Sequence, residues 1–197
     1  MIVSTTHKFK FFHVPKTGGT SMRKILFNIS TTEKQWQKGK HGEGIRGRGY
    51  WSAEHEQHSS AETAKHIFPE YYSFAFVRNP YDWVVSSYLK AKKDGMKVPD
   101  SFDKWVEDGC QCAATYRKQS EYLYDSEGNL LVDFIGKYES IKKDWSTLAR
   151  KLDFPDHLPH LNQGYKHDYK EFYENPNTKA TVEQKFADDI LLFSYTF

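Results

Sequence analysis

Residues 11–22, Phe-Phe-His-Val-Pro-Lys-Thr-Gly-Gly-Thr-Ser-Met, run from an apolar segment into the start of a helical pattern. The adjacent glycines Gly18 and Gly19 let the backbone approach an anion closely, and the N–H groups of a helix start carry partial positive charge. Lys16 adds a full charge. Hydroxyl donors follow at Thr17, Thr20 and Ser21. The segment predicts a phosphate-binding loop, with an ordinary Gly-Gly turn as the alternative.

The order of residues in this loop differs from that of the nucleoside triphosphatases. Their loop has the form Gly-x-x-x-x-Gly-Lys-[Ser/Thr], in which the lysine follows the glycines. In this chain Lys16 precedes the glycines. A second motif is therefore needed to decide which anion the loop binds.

A second strand-to-helix junction lies downstream. Residues 71–77 are rich in aromatic and other β-forming side chains, which predicts a buried strand. Asn79 and Pro80 form a helix-start signal, so Arg78 falls at the carboxyl end of a strand, where open α/β sheets bind ligands. Ser86 falls two turns into the helix. A guanidinium and a hydroxyl suit a phosphate, although a surface ion pair is the alternative for Arg78.

Together the two motifs resemble the sulfotransferase family that takes its sulfuryl group from 3′-phosphoadenosine 5′-phosphosulfate (PAPS). In that family the loop matched by residues 15–21 binds the 5′-phosphosulfate. An arginine with a serine eight positions later, here Arg78 and Ser86, binds the 3′-phosphate. The carbohydrate branch is the most similar, since its Phe-Val-Arg-Asn-Pro-Tyr-Asp run matches residues 76–82. Weaker similarity to the family extends over residues 119–123, 132–139, 158–162 and 189–197.

The resemblance implies a donor site and a product, 3′-phosphoadenosine 5′-phosphate (PAP). The implied donor-binding residues are Lys16, Thr17, Gly18, Gly19, Thr20, Ser21, Arg78 and Ser86. Its acceptor would be a small molecule or an oligosaccharide, and a sugar hydroxyl is favoured by resemblance alone. Gln119, Tyr122 and Lys166 are candidate pocket residues, each also explained by a structural role, and the chemistry of His160 and Asn162 is open.

Sulfuryl transfer also needs a base for the acceptor proton and positive charge at the leaving phosphate. Lys16 suits the second role. Histidine is a common base because its pKa lies near neutral pH. In the resembling branch a histidine between the two motifs can be the base, and His-x-x-Ala matches residues 58–61. His58 is therefore the predicted base and His55 the second choice, with an exposed loop histidine as the alternative for either.

No metal is predicted. His55 and His58 are three positions apart, whereas the metalloprotease signature His-Glu-x-x-His needs four. Cys110 and Cys112 are too few for a zinc site and poorly spaced for a disulfide, so both are expected as reduced thiols.

Composition bounds the function further. The net charge of +2 argues against a general nucleic-acid or anionic-membrane binder. No segment approaches eighteen apolar residues, so no membrane span and a cytoplasmic location are expected. One domain over residues 1–197 is predicted, with a flexible Gly-rich insertion at about 37–53. That insertion is interpreted as a solvated loop or, alternatively, as a lid carrying Arg46 and Arg48.

Alternating strand and helix patterns predict an α/β fold with a mainly parallel central sheet flanked by helices. The resemblance implies the P-loop-like nucleotide-binding fold of sulfotransferases. Strands are predicted at residues 8–14, 71–77 and 130–135. Helices are predicted from Met22, from a capping box at 59–62 through 67, after Pro80, after Ser101, over 141–152, and around Val182, Phe186 and Ile190.

Two other functions remain open. A nucleotide-dependent phosphotransferase is the first, because residues 130–133 resemble an apolar run ending in a magnesium-binding aspartate, Asp133. The misplaced Lys16 argues against it. A non-catalytic nucleotide-binding module is the second, and the combination of the loop with a candidate base argues against that.

Overall fold

The computed structural model describes residues 1–29, 59–112, 114–159 and 168–197. Several predictions from the sequence lie outside these residues: the insertion at about 37–53, His55, His58, His160, Asn162 and Lys166. Within them, four strands are formed: β1 (Ile2–Ser4), β2 (Phe9–Phe12), β3 (Tyr72–Val77) and β4 (Phe134–Lys137). The α-helices of the same residues are α1 (Gly19–Ile29), α2 (Pro80–Lys93), α3 (Phe102–Glu107), α4 (Ile141–Leu152), α5 (Pro176–Lys185) and α6 (Ala187–Leu192).

The four strands form one sheet in the order β1-β2-β3-β4. Strand β1 pairs antiparallel with β2, whereas β2 with β3 and β3 with β4 pair in parallel. The α/β class is confirmed, but the sheet is mixed and the predicted mainly parallel sheet is wrong. Only four residues separate β1 from β2. Such a connection makes a hairpin, because a parallel crossover needs a dozen residues or more.

The chain divides into two compact units, of which the first contains Met1–Val77 and Glu121–Asn162. It holds the sheet together with α1 and α4. Aromatic side chains of the strands pack with the apolar stripes of these two helices. The buried cluster consists of Ile2, Phe9, Phe11, Met22, Leu26, Phe74, Phe76, Trp145, Leu148, Ala149 and Phe154. The stripe predicted for residues 141–152 is therefore confirmed as core.

The second unit contains Arg78–Ser120 and Gln163–Phe197. It is helical, and α2 packs against α3 and α5. Its aromatic core includes Trp83 edge-on to Phe186, with ring centroids 5.5 Å apart. The predicted organisation as one domain stays a prediction.

Two helix starts form as the sequence predicts. The Asn79 side chain accepts a hydrogen bond from the Tyr81 N–H at 3.1 Å, and Pro80 is the first residue of α2. Ser101 caps α3 in the same way, accepting from the Lys104 N–H. Each cap satisfies an N–H that the helix itself cannot pair.

The segment after the capping box is an exception. Ser60 does accept from the Thr63 N–H, at 3.3 Å. However, residues 61–67 form turns and not the predicted helix. The Ala61 N–H donates to the carbonyl of Tyr122 instead, and Pro69 follows within two residues of the predicted end.

Strand β4 begins later than predicted, at Phe134. The residues before it pair elsewhere: Leu130 bridges to Tyr124, and the Leu131 N–H donates to the Leu123 carbonyl. The predicted last helix is divided at Phe186 into α5 and α6. No helix in the described parts of the chain is long and apolar enough to cross a membrane.

Candidate functional site

The predicted phosphate loop, residues 15–21, runs from the connection after β2, which ends at Phe12, into the first turn of α1, which begins at Gly19. The hydroxyl of Thr17, which is fully buried, donates to the Val14 carbonyl at 2.9 Å. The Ser21 N–H donates to the Gly18 carbonyl at 3.1 Å and closes the turn. Lys16 has a φ of 64°, which is uncommon for a residue with a side chain. Such strain costs on the order of 1–3 kcal/mol and concentrates at binding sites.

The two glycines of this loop are required for different reasons. Gly18 has a φ of +85°, and a Cβ there would lie 2.7 Å from Cδ1 of Ile141. A Cβ on Gly19 would lie 1.8 Å from Nε2 of His13, whose ring is buried beneath the helix start. His13 therefore shapes the loop, a role that the sequence reasoning missed. Its only signal was a polar residue inside an apolar run.

Three of the predicted donor-binding side chains in this loop reach solvent. Thr20 is exposed, and Lys16 and Ser21 are partly exposed. Thr17 is directed into the loop, so its hydroxyl is structural. The start of α1 contributes the positive end of an eleven-residue helix. This end of the loop thus combines a cation, hydroxyls and a helix N-terminus, which together suit an anion.

The edge of the sheet at which the loop lies is also where β3 ends. Parallel pairing aligns Phe12 with Ala75, so β2 and β3 point toward the same edge. Strand β3 ends at Val77, and Arg78 is the next residue of the chain. The sequence-based placement of Arg78 at the carboxyl end of a strand is confirmed.

The Arg78 guanidinium forms a two-pronged pair with Asp82. Nε donates to Oδ2 at 2.7 Å and Nη2 donates to Oδ1 at 2.8 Å. The two side chains are only 11% and 23% exposed. The ion-pair alternative for Arg78 is therefore present, with a partner four positions along the chain, in the first turn of α2. Because the fork is planar, Asp82 fixes the orientation of the guanidinium.

The main chain of Arg78 is held as well. Its N–H donates to Oε1 of Gln119 at 2.9 Å, and Nε2 of Gln119 donates to its carbonyl at 2.8 Å. Gln119 is fully buried, as is Tyr122. The structural alternative for Gln119 is thus the one that the contacts support, and nothing in the sequence indicated its partner.

Asp189 supports this arrangement from α6. Its carboxylate accepts from the N–H groups of Gln119 and Ser120, both at 2.8 Å. The residue is fully buried, and desolvation raises the pKa of its carboxyl group. Sequence reasoning assigned it no role, because its partners lie some seventy positions away.

Ser86 lies on α2 and is partly exposed. The next residue, Ser87, is buried and donates to the Trp83 carbonyl at 2.8 Å. Of the two adjacent hydroxyls, that of Ser86 is on the more accessible side of the helix. The role of Ser86 at the 3′-phosphate stays a prediction.

Asp133 does not lie where a magnesium-binding aspartate would be needed. It precedes β4 and is level with Ser73, near the start of β3, whereas the phosphate loop follows the end of β2. Its Oδ2 accepts from both the N–H and the hydroxyl of Ser73 at 2.7 Å. Asp133 is therefore at the opposite edge of the sheet and serves to join two strands.

The described residues contain no group of three or more His, Cys, Asp or Glu side chains that could hold a metal ion. Cys110 and Cys112 are free thiols, as predicted. Burial raises the pKa of the Cys110 thiol to about 12. The thiolate of Cys110, the nucleophilic form, is therefore disfavoured in the folded protein.

The chain belongs to the Sulfotransferase family, whose family model matches residues 1–196. An uncharacterized protein of Archaeoglobus fulgidus is 32% identical to it over 95 residues, which are 48% of this chain and 78% of that protein. No solved structure matches significantly. The resemblance inferred from the two motifs is confirmed, and the family supports a transferase of the sulfotransferase class.

Proposed function

We propose that this protein transfers the sulfuryl group of PAPS to an acceptor hydroxyl, on a carbohydrate or a small molecule. One observation carries the proposal: a close-packed loop suited to an anion, with Lys16, Thr20 and Ser21 open to solvent, follows β2 at the carboxyl ends of the parallel strands. Membership of the family supplies the reaction class. A cytoplasmic location stays a prediction.

The residues present fit the donor. Gly18 and Gly19 allow the tight packing of the loop backbone against Ile141 and His13, and Lys16, Thr20 and Ser21 supply charge and hydroxyl donors there. Thr17 supports the loop from within. Arg78 and Ser86 bind the 3′-phosphate in this proposal. When bound, PAPS supplies an activated sulfuryl group on a phosphate leaving group.

Lys16 stabilises the charge that develops on that leaving phosphate. The proton of the acceptor hydroxyl goes to His58, or to His55 as the second choice. Both histidines lie outside the described residues. Their role therefore rests on the motif alone, and PAP is the expected product.

Binding measurements test the donor assignment. Isothermal titration calorimetry should show PAP binding without a metal, and much weaker binding of ATP with magnesium. Lys16→Ala and Arg78→Ala should each weaken PAP binding at least about tenfold, since a charge-assisted contact contributes about 1.5–3 kcal/mol. Lys24→Ala and Arg150→Ala remove matched exposed charges and should bind as the wild type does. Preference for ATP with magnesium would instead indicate a phosphotransferase.

Transfer of labelled sulfate from PAPS to a panel of sugars and small alcohols separates an enzyme from a binding module. His58→Ala should lower kcat at least about a hundredfold, as the loss of a general base does. His157→Ala, which alters an exposed histidine, is the control. Normal turnover in His58→Ala would exclude that residue and move the test to His55.

The phosphotransferase alternative loses its main support, because Asp133 lies at the edge of the sheet remote from the anion loop. PAP binding without any sulfate transfer to the panel would favour a non-catalytic module.

A further inference from the structure

We propose that Gln119 and Asp189 are positioning residues that hold Arg78 in the conformation needed to bind the 3′-phosphate of the donor. This inference rests on the proposed function. It assigns a role to two buried polar side chains that no motif explained. Neither residue needs to touch the nucleotide.

The contact between Gln119 and Arg78 is a reciprocal amide pair. Oε1 of Gln119 accepts from the Arg78 N–H at 2.9 Å, and its Nε2 donates to the Arg78 carbonyl at 2.8 Å. The side-chain amide of Gln119 thus bonds both main-chain groups of the residue that follows β3, as a paired strand does within a sheet. Gln119 is fully buried, so water does not compete for these bonds.

Arg78 needs this support because it lies at a junction. The preceding residue ends β3, and the next residue caps α2. Arg78 itself lies outside both elements, since β3 ends at Val77 and α2 begins at Pro80. Gln119 restrains the backbone dihedrals at this position by bonding both main-chain groups of Arg78. The guanidinium of Arg78 is at the end of a long side chain, so a small change in the main-chain dihedrals displaces it much further.

The other end of Arg78 is restrained separately, by the planar pair with Asp82 at 2.7 and 2.8 Å. That pair sets the plane of the guanidinium relative to α2. Gln119 sets where the side chain begins. The two restraints together leave the guanidinium in one position before any ligand binds, which lowers the entropy cost of binding.

Asp189 holds Gln119 in place. Its two carboxylate oxygens accept from the consecutive N–H groups of Gln119 and Ser120, both at 2.8 Å. Burying a carboxyl group is costly unless it is hydrogen-bonded. Asp189 is fully buried, and its two hydrogen bonds offset that cost. The bonds run in sequence from Asp189 through Gln119 to the main chain of Arg78.

The test compares two nucleotides that differ only in the 3′-phosphate, PAP and adenosine 5′-phosphate. The ratio of their dissociation constants isolates what the contacts to the 3′-phosphate, those of Arg78 and Ser86, contribute. Calorimetry on the full chain should give a ratio of at least about ten for the wild type. Gln119→Met, which is similar in size but lacks both hydrogen-bonding groups, should lower the ratio at least threefold without weakening adenosine 5′-phosphate binding. Asp189→Asn should lower it in the same way.

Matched controls are Gln184→Met and Asp94→Asn, which alter exposed residues of α5 and at the end of α2. Both should keep the wild-type ratio. A merely structural role for Gln119 would weaken both nucleotides in proportion and leave the ratio unchanged. That result, with Arg78→Ala still abolishing the ratio, would overturn this inference alone.

If the wild type binds PAP no better than adenosine 5′-phosphate, or if Arg78→Ala leaves the ratio unchanged, the proposed function fails and this inference fails with it. Should Gln119→Met prove unfolded by circular dichroism, Gln119→Glu takes its place. That variant keeps the acceptor for the Arg78 N–H but loses the donor to the carbonyl. An intermediate ratio would support the inference, and a wild-type ratio would overturn it.

Discussion

Replacing Gly19 with alanine should distort the anion loop. The added Cβ would lie 1.8 Å from Nε2, 2.1 Å from Cδ2 and 2.8 Å from Cε1 of His13. Three ring atoms are therefore too close at once, so no small rotation relieves the overlap. The imidazole is buried, and Phe11 stacks against it with ring centroids 5.9 Å apart.

The size of the effect follows from these distances. Ordinary contact with a Cβ begins near 3.4 Å, whereas the new Cβ would lie 1.8 Å from Nε2 of His13. The imidazole ring or the start of α1 must therefore shift by about 1.6 Å. Overpacking a buried site typically costs about 1–3 kcal/mol. Misplacing a binding or catalytic group by about 1 Å can cost about a hundredfold in rate. We expect both a loss of stability in this range and at least tenfold weaker binding of PAP.

Urea unfolding followed by circular dichroism measures the first effect and calorimetry with PAP the second. His13→Ala provides the control, because it removes the group with which the new Cβ collides. A double-mutant cycle should show that Gly19→Ala costs about 1–3 kcal/mol in the wild type and much less when His13 is alanine.

Equal costs in the two backgrounds would refute the steric argument. If Gly19→Ala keeps the stability and the PAP affinity of the wild type, the explanation of why the second glycine is needed is refuted. The stability result is independent of the proposed function, so the packing and the ligand assignment are tested separately.

Two further predictions concern buried titratable groups. Because burial raises the pKa of the Cys110 thiol to about 12 and Cys112 is partly exposed, one thiol should react with a chromogenic disulfide in the folded protein. Cys112→Ser should remove that reaction, and both thiols should react in urea; two reactive thiols in the native state would contradict the burial. Desolvation raises the pKa of Asp189 above its ordinary value, so the folded state binds its proton more tightly than the unfolded state. The stabilisation is full below the ordinary pKa, near 4, and is lost as pH rises through the folded pKa. The free energy of unfolding of the wild type relative to Asp189→Asn should therefore fall with rising pH in that window, as urea titrations would show; a constant or rising difference would contradict the shift.

Local patterns in the sequence predicted the parts of the fold that depend on neighbouring residues. The start of α2 follows from an Asn cap and a proline, and that of α3 from Ser101, because each cap bonds within its own first turn. The apolar stripe of α4 likewise predicted its buried face. The anion loop was recognisable for the same reason, because its glycines, lysine and hydroxyls lie within a few residues of one another.

Predictions failed where a distant partner decided the outcome. Residues 61–67 form turns in place of the predicted capped helix, and the Ala61 N–H donates to the carbonyl of the distant Tyr122. Strand β4 begins late because residues 130 and 131 pair with 124 and 123. Strand β1 was not predicted, since three residues carry too little periodicity and only pairing with β2 defines it.

The sequence by itself determined the family and the chemical character of the loop, because glycines, a lysine and hydroxyls at fixed spacing act within a few residues of one another. Only the tertiary structure decided why Gly19 must be glycine, which edge Asp133 occupies, and that Gln119 and Asp189 support Arg78. The physical reason is distance along the chain. Buried hydrogen bonds and close contacts join residues tens of positions apart, and no local pattern records which residues will meet.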